Sequence, residues 1–126
     1  MIVDSSALVA ILRNEPDAEA LVEAIGRAPA PRLSATTLLE TSIVLGPDLQ
    51  PALDAFVEVS LLDVVPFDRE QAVAARVAHR RFGRGSGSAA RLNVGDCMVY
   101  ALAEVTGEPL LFKGDDFTHT DVTPAI

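Results

Sequence analysis

One cysteine, two histidines and ten basic residues are all that this chain of 126 residues holds of those types, and each scarcity excludes something. With Cys97 alone, no internal disulfide can form and no cysteine-based zinc site can be assembled. His79 and His119 have no soft ligand near them in sequence, so any metal bound here must rest on carboxylates. Carboxylates select hard cations, Mg²⁺ or Mn²⁺, over zinc. Long apolar runs are missing too: nothing approaches the ~18 residues of a membrane span. The opening MIVDSS has no basic segment, and Ala7–Leu12 is too short for a secretory signal. A cytoplasmic protein is the expectation.

Positive charge is scarce overall, at net −8. That argues against a broad grip on duplex backbone, which needs a basic face. The few cations are clustered, however. Arg76, Arg80, Arg81, Arg84 and Arg91 are five of the ten, which permits a local phosphate contact. Apolar residues are plentiful at 49%, enough for a real core, and the length fits one domain over residues 1–126.

Short apolar stretches alternate with helical patterns along the chain. Ile2-Val3 predicts a buried strand running into a helix over Ser5–Arg13, and a second helix follows over Asp17–Ala28. Arg32–Ser34 is a brief strand before a helix over Ala35–Leu45, and Leu49–Val59 is the next helix. Leu61–Pro66 predicts a strand, and Asp68 caps a helix to Phe82. Gly83–Ala90 is a flexible loop, and Asn93–Thr106 a helix stopped by Gly107 and Pro109. Leu110–Phe112 is a strand, with Val122–Ile126 as a last edge strand. Such alternation predicts an α/β/α layer structure with a mainly parallel sheet, whose ligands gather at the carboxyl ends of its strands.

Acids sit where that rule would place a site. Asp4 follows the first strand; as a helix cap it has an ordinary explanation, although Ser5 or Ser6 could do the same work. Glu40 lies among Leu38, Leu39, Ile43, Val44 and Leu45 on a helix apolar nearly all round, which predicts a core position. A carboxylate there needs an arginine partner or a cation. Asp96 stands three residues after Asn93 in the pattern of a capping box. Asp115 and Asp116 form a Gly-Asp-Asp turn after an apolar strand. Singly, most of these are unremarkable. Together they make a cluster that repels itself unless a cation offsets the charge, and with one it becomes a hydrolytic site.

Arg69, Arg76 and Arg80 fall on one helical stripe, either a solvated face or an RNA backbone guide with Arg84 beyond it. Cys97 and His119 look incidental. Ser5 and Ser6 have no histidine partner in view, and GRGSG matches neither a Walker loop nor a dinucleotide fingerprint.

The opening IVDSSALVAIL and the closing LNVGDCMVYALAEVTGEPLLFKGDDFTHTDV resemble PIN-domain proteins, and more narrowly the VapC toxins of type II toxin–antitoxin pairs. The likeness covers essentially the whole chain. It implies an Mg²⁺- or Mn²⁺-dependent endoribonuclease whose acids are Asp4, Glu40, Asp96 and Asp115, with Asp116 replacing or assisting Asp115 and Ser6 supporting the first. It also implies a homodimer neutralised by a VapB-like antitoxin in a hetero-oligomer. One stretch departs from the family: TSIVLGPDLQPALDAF, after Glu40, is shorter and less basic than usual. Two other readings share the acidic pattern. A receiver domain would use Mg²⁺ and a phosphoacceptor Asp, and a silent PIN-like module would only bind partners.

Overall fold

The computed structural model describes residues 1–126. Strands β1 (Ile2–Val3), β2 (Arg32–Ser34), β3 (Asp63–Val65) and β4 (Leu110–Leu111) form one parallel sheet in the order β3-β2-β1-β4. Ile2 pairs with Leu110 and Val3 with Leu111, so β1 and β4 end side by side. The helices are α1 (Ser5–Leu12), α2 (Ala18–Arg27), α3 (Ala35–Leu45), α4 (Gln50–Val59), α5 (Arg69–Phe82) and α6 (Val94–Thr106).

Strand side chains alternate between faces, so each two-residue strand feeds two cores. Ile2 and Leu110 pack with Ala78 of α5 and Val99 and Leu102 of α6. Val3, Leu33 and Leu111 pack with Leu8 of α1, Leu21 of α2, Leu45 of α3 and Leu53 of α4. The result is the expected α/β/α sandwich. No helix is long and apolar enough to cross a membrane.

Local signals act as the sequence reads. Asp68 caps α5 through the Gln71 amide at 2.9 Å. Asn93 and Asp96 form a reciprocal capping box on α6, at 2.8 and 2.9 Å. Gly107 ends α6 with a left-handed backbone, φ 66°.

Three expectations need correction. Helix α3 is not wrapped in core: Leu39 is 62% exposed, Ile43 71% and Val44 46%. Its buried stripe is Thr37, Thr41 and Leu45, and Thr41 Oγ1 donates to the Thr37 carbonyl at 2.8 Å, which removes the penalty for burying a hydroxyl. The strand over Leu61–Pro66 shrinks to Asp63–Val65, because Leu61 takes a left-handed turn at φ 52°. The segment Val122–Ile126 makes one bridge, Leu110 to Pro124, rather than a full strand.

Candidate functional site

Both neighbours of β1 are reached by crossovers in opposite directions, and the crevice at such a point opens at the carboxyl ends of β1 and β4. Asp4 leaves β1 there and is buried. Its Oδ2 accepts from the Ser6 amide at 3.0 Å and the Ser6 hydroxyl at 2.6 Å. Asp4 is thus both the cap of α1 and a site carboxylate. Ser6 Oγ in turn accepts from the Lys113 amide at 2.9 Å, so one hydroxyl joins the end of β1 to the chain leaving β4. Burial pushes the Asp4 carboxyl above its ordinary range, the Ser6 hydrogen bonds oppose this, and the charge of Glu40 adds to it.

Glu40 is half-buried and has no ion pair, so the arginine-partnered alternative is not realised. Ser5 Oγ donates to Glu40 Oε1 at 2.6 Å. The other oxygen, Oε2, rests against Gly95 at the start of α6, where a Cβ would collide with it. Only a residue without a Cβ leaves the Glu40 carboxylate in that place.

Asp96 is only 8% exposed. Burial, more than any other influence, raises its carboxyl to about 6 against the Asn93 amide bond, and the charges of Asp4, Asp116 and Glu40 push the same way. Four carboxylates from four parts of the chain therefore share one field. The Asp115 carbonyl anchors the next turn through the Thr118 amide at 3.1 Å. Asp115 and Asp116 both line a cavity of about 310 Å³ with Arg84, Arg91 and His119.

No three Asp, Glu, His or Cys side chains close on a point at metal-ligand spacing. The set is open and all-oxygen. That fits Mg²⁺, which keeps several waters and takes one or two carboxylates plus substrate phosphate rather than a full protein cage.

The arginines divide. Arg84 stands at the acidic cavity, but Arg76 and Arg80 line a separate groove between α5 and α6. Arg91 and His119 reach the acidic cavity and were not singled out as site residues by sequence reasoning; membership of the basic cluster was the available signal for Arg91. Lys113 pairs with Glu15, and with Asp17 at 2.8 Å, which takes it out of the pocket where a receiver domain would need it. Asp63 opens the exposed edge strand β3 rather than ending a central one, so the receiver reading lacks its phosphoacceptor. Cys97 is buried, and that burial raises its thiol further from reactivity.

Comparison with known proteins agrees with this architecture. The family model described as PIN domain matches residues 1–122. Ribonuclease VapC28 of Mycobacterium tuberculosis is 50% identical over 130 residues, covering 100% of this chain and 98% of the relative. In fold, the crystal structure of Mycobacterium tuberculosis VapC20, a toxin cleaving the sarcin-ricin loop, superposes with TM-score 0.75 at 17% identity, covering 98% of each chain. A toxin-antitoxin complex from Klebsiella pneumoniae gives TM-score 0.73 at 16% identity, over 95% of this chain and 92% of that one. With its parallel sheet, its strand-end acids and a relative of this identity along its whole length, the chain belongs to the PIN-domain family, in the VapC branch.

Proposed function

We propose that this protein is a metal-dependent endoribonuclease, the toxin of a VapBC-type pair, acting as one nuclease domain over residues 1–126 in the cytoplasm. The carrying observation is that Asp4 and Asp96 are buried and Glu40 half-buried with no cation of the chain paired to any of them. Burying carboxylates beside one another destabilises a protein unless a cation is meant to join them. Asp4, Glu40 and Asp96 would hold Mg²⁺ or Mn²⁺, with Asp116 and Asp115 at the mouth of the site. Such an ion, when bound, supplies Lewis acidity at the phosphoryl oxygen and a lowered water pKa.

The chain's own groups set the geometry. Ser6 fixes Asp4, Ser5 aims Glu40, and the Asn93 amide holds one oxygen of Asp96. Arg84 and Arg91 stand beside the loop acids, where guanidinium groups can take the flanking phosphate oxygens. The names of the relatives, ribonuclease and toxin, support the same reading. A cognate VapB-like antitoxin and a second copy of this chain are the proposed partners in a toxin–antitoxin hetero-oligomer. The water-exposed Leu39, Ile43 and Val44 of α3 favour such docking, since free proteins rarely leave contiguous apolar patches uncovered.

The test is cleavage of RNA by purified protein with Mn²⁺ or Mg²⁺. EDTA should abolish it. Asp4→Asn should cost more than the about 10–100-fold typical of a supporting residue. Parent-rate cleavage by Asp4→Asn, or by protein in EDTA, would refute the assignment.

A further inference from the structure

Acids outnumber cations by 18 to 10 in this chain, yet half of the cations have no partner within it. Arg27, Arg32, Arg81 and Lys113 are ion-paired, and Arg13 donates to the Val44 carbonyl at 2.9 Å. The five that remain, Arg69, Arg76, Arg80, Arg84 and Arg91, are all exposed and all lie between residues 69 and 91. Free guanidinium groups concentrated in one stretch of an acidic protein present a local anion-binding face.

Two of the five border an apolar groove. Arg76 and Arg80, one turn apart on α5, line a groove of about 510 Å³ together with Phe67, His79, Val94 and Met98. Val94 and Met98, one turn apart on α6, flank the Gly95 and Asp96 that face the acidic site. The groove and the carboxylates therefore both draw on the N-terminal end of α6.

We infer that this groove takes an unstacked base of single-stranded RNA next to the cleaved bond, with Arg76 and Arg80 on the adjoining phosphates. The inference rests on the ribonuclease reading. An apolar slot with two flat rings, Phe67 and His79, suits a base face, and two arginines suit its backbone. A duplex hides its base faces and would gain nothing from the slot. An acidic peptide would use the arginines but would leave the rings idle.

The test is fluorescence anisotropy with a labelled single-stranded oligoribonucleotide, in EDTA so that nothing is cut. The parent should bind it better than the same sequence in a duplex. The Arg76→Ala/Arg80→Ala variant, altered only at exposed positions, should lower the slope of log affinity against log salt by about 1.4, at ~0.7 per lost phosphate contact. Phe67→Ala, with its fold checked by thermal unfolding, should weaken binding at least about fivefold. Equal affinity and slope in the double variant would overturn the groove, as would competition by an acidic peptide that leaves RNA affinity unchanged in Phe67→Ala. Cleavage is scored separately with Mn²⁺. A parent that binds in this pattern but never cuts refutes the nuclease reading while the groove stands.

Discussion

Asp96 carries two duties that conflict. Its Oδ2 completes the capping box of α6, a stabilising role, while its burial beside Asp4, Glu40 and Asp116 disfavours the charged form. Because its folded value of about 6 lies above that of an ordinary carboxylate, the folded protein holds the proton more tightly than the unfolded chain does. This contribution is complete at pH values below about 4 and fades as pH rises through about 6, amounting to roughly 3 kcal/mol in all. Asp96→Asn keeps an oxygen for the Asn93 amide and removes the charge. The metal-free variant should thus be more stable than the parent by about 1–3 kcal/mol at pH 7, and nearly equal at pH 4, while losing ribonuclease activity. Urea unfolding at the two pH values measures this. Ser6→Ala should lower activity about 10–100-fold, by freeing both Asp4 and the Lys113 amide. Steady-state cleavage rates give the number; an unchanged rate would mean that Asp4 is held without Ser6.

Among the elements, α3 shows where sequence reasoning runs out. Its apolar residues were visible, but composition does not say which face meets the sheet. Two threonines point inward because Thr41 can satisfy its hydroxyl on its own helix, and Leu39 and Ile43 are left outside. The strand-to-helix turns, by contrast, were legible, since Asp4, Asp68 and Asn93 each cap with their own side chain. Glu40 stands out in the sequence on partly wrong grounds: it is half-buried at a junction with α6, not sunk in a core. That junction predicts a separation of stability from activity. Gly95→Ala adds a good helix former, worth up to about 1 kcal/mol, and its methyl would drive Glu40 off its place. The variant should unfold within about 1 kcal/mol of the parent yet lose most of its cleavage rate. Parental activity would show that Glu40 can move without consequence.

For the molecule as a whole, the layer architecture followed from the alternation of short apolar strands with helices, whereas the spread of the arginines over two cavities did not. Spacing on α5 sets a stripe, but only the packing of α5 on α6 decides what the stripe borders. Net charge acts at this scale as well. Eighteen acids against ten cations, with the charges of Asp4, Glu40 and Asp116 all acting on Asp96, leave the free protein under electrostatic stress at neutral pH. Saturating Mg²⁺ or Mn²⁺ should raise the melting temperature by several degrees, since about 2.7 kcal/mol follows from ligand at 100 times its dissociation constant. The rise should be larger at pH 7 than at pH 5 and absent in Asp96→Asn. Differential scanning fluorimetry reports both, and a metal shift that survives in Asp96→Asn would remove that residue from the ion.

The Ser6 hydroxyl touches a backbone amide 107 positions further along the chain. Residue 6 is made long before residue 113, and the later segment must fold back on β1 before the two can meet. The centre is therefore tied together only once β4 has docked beside β1, and a fragment that stops short of Lys113 leaves the Ser6 hydroxyl without this partner.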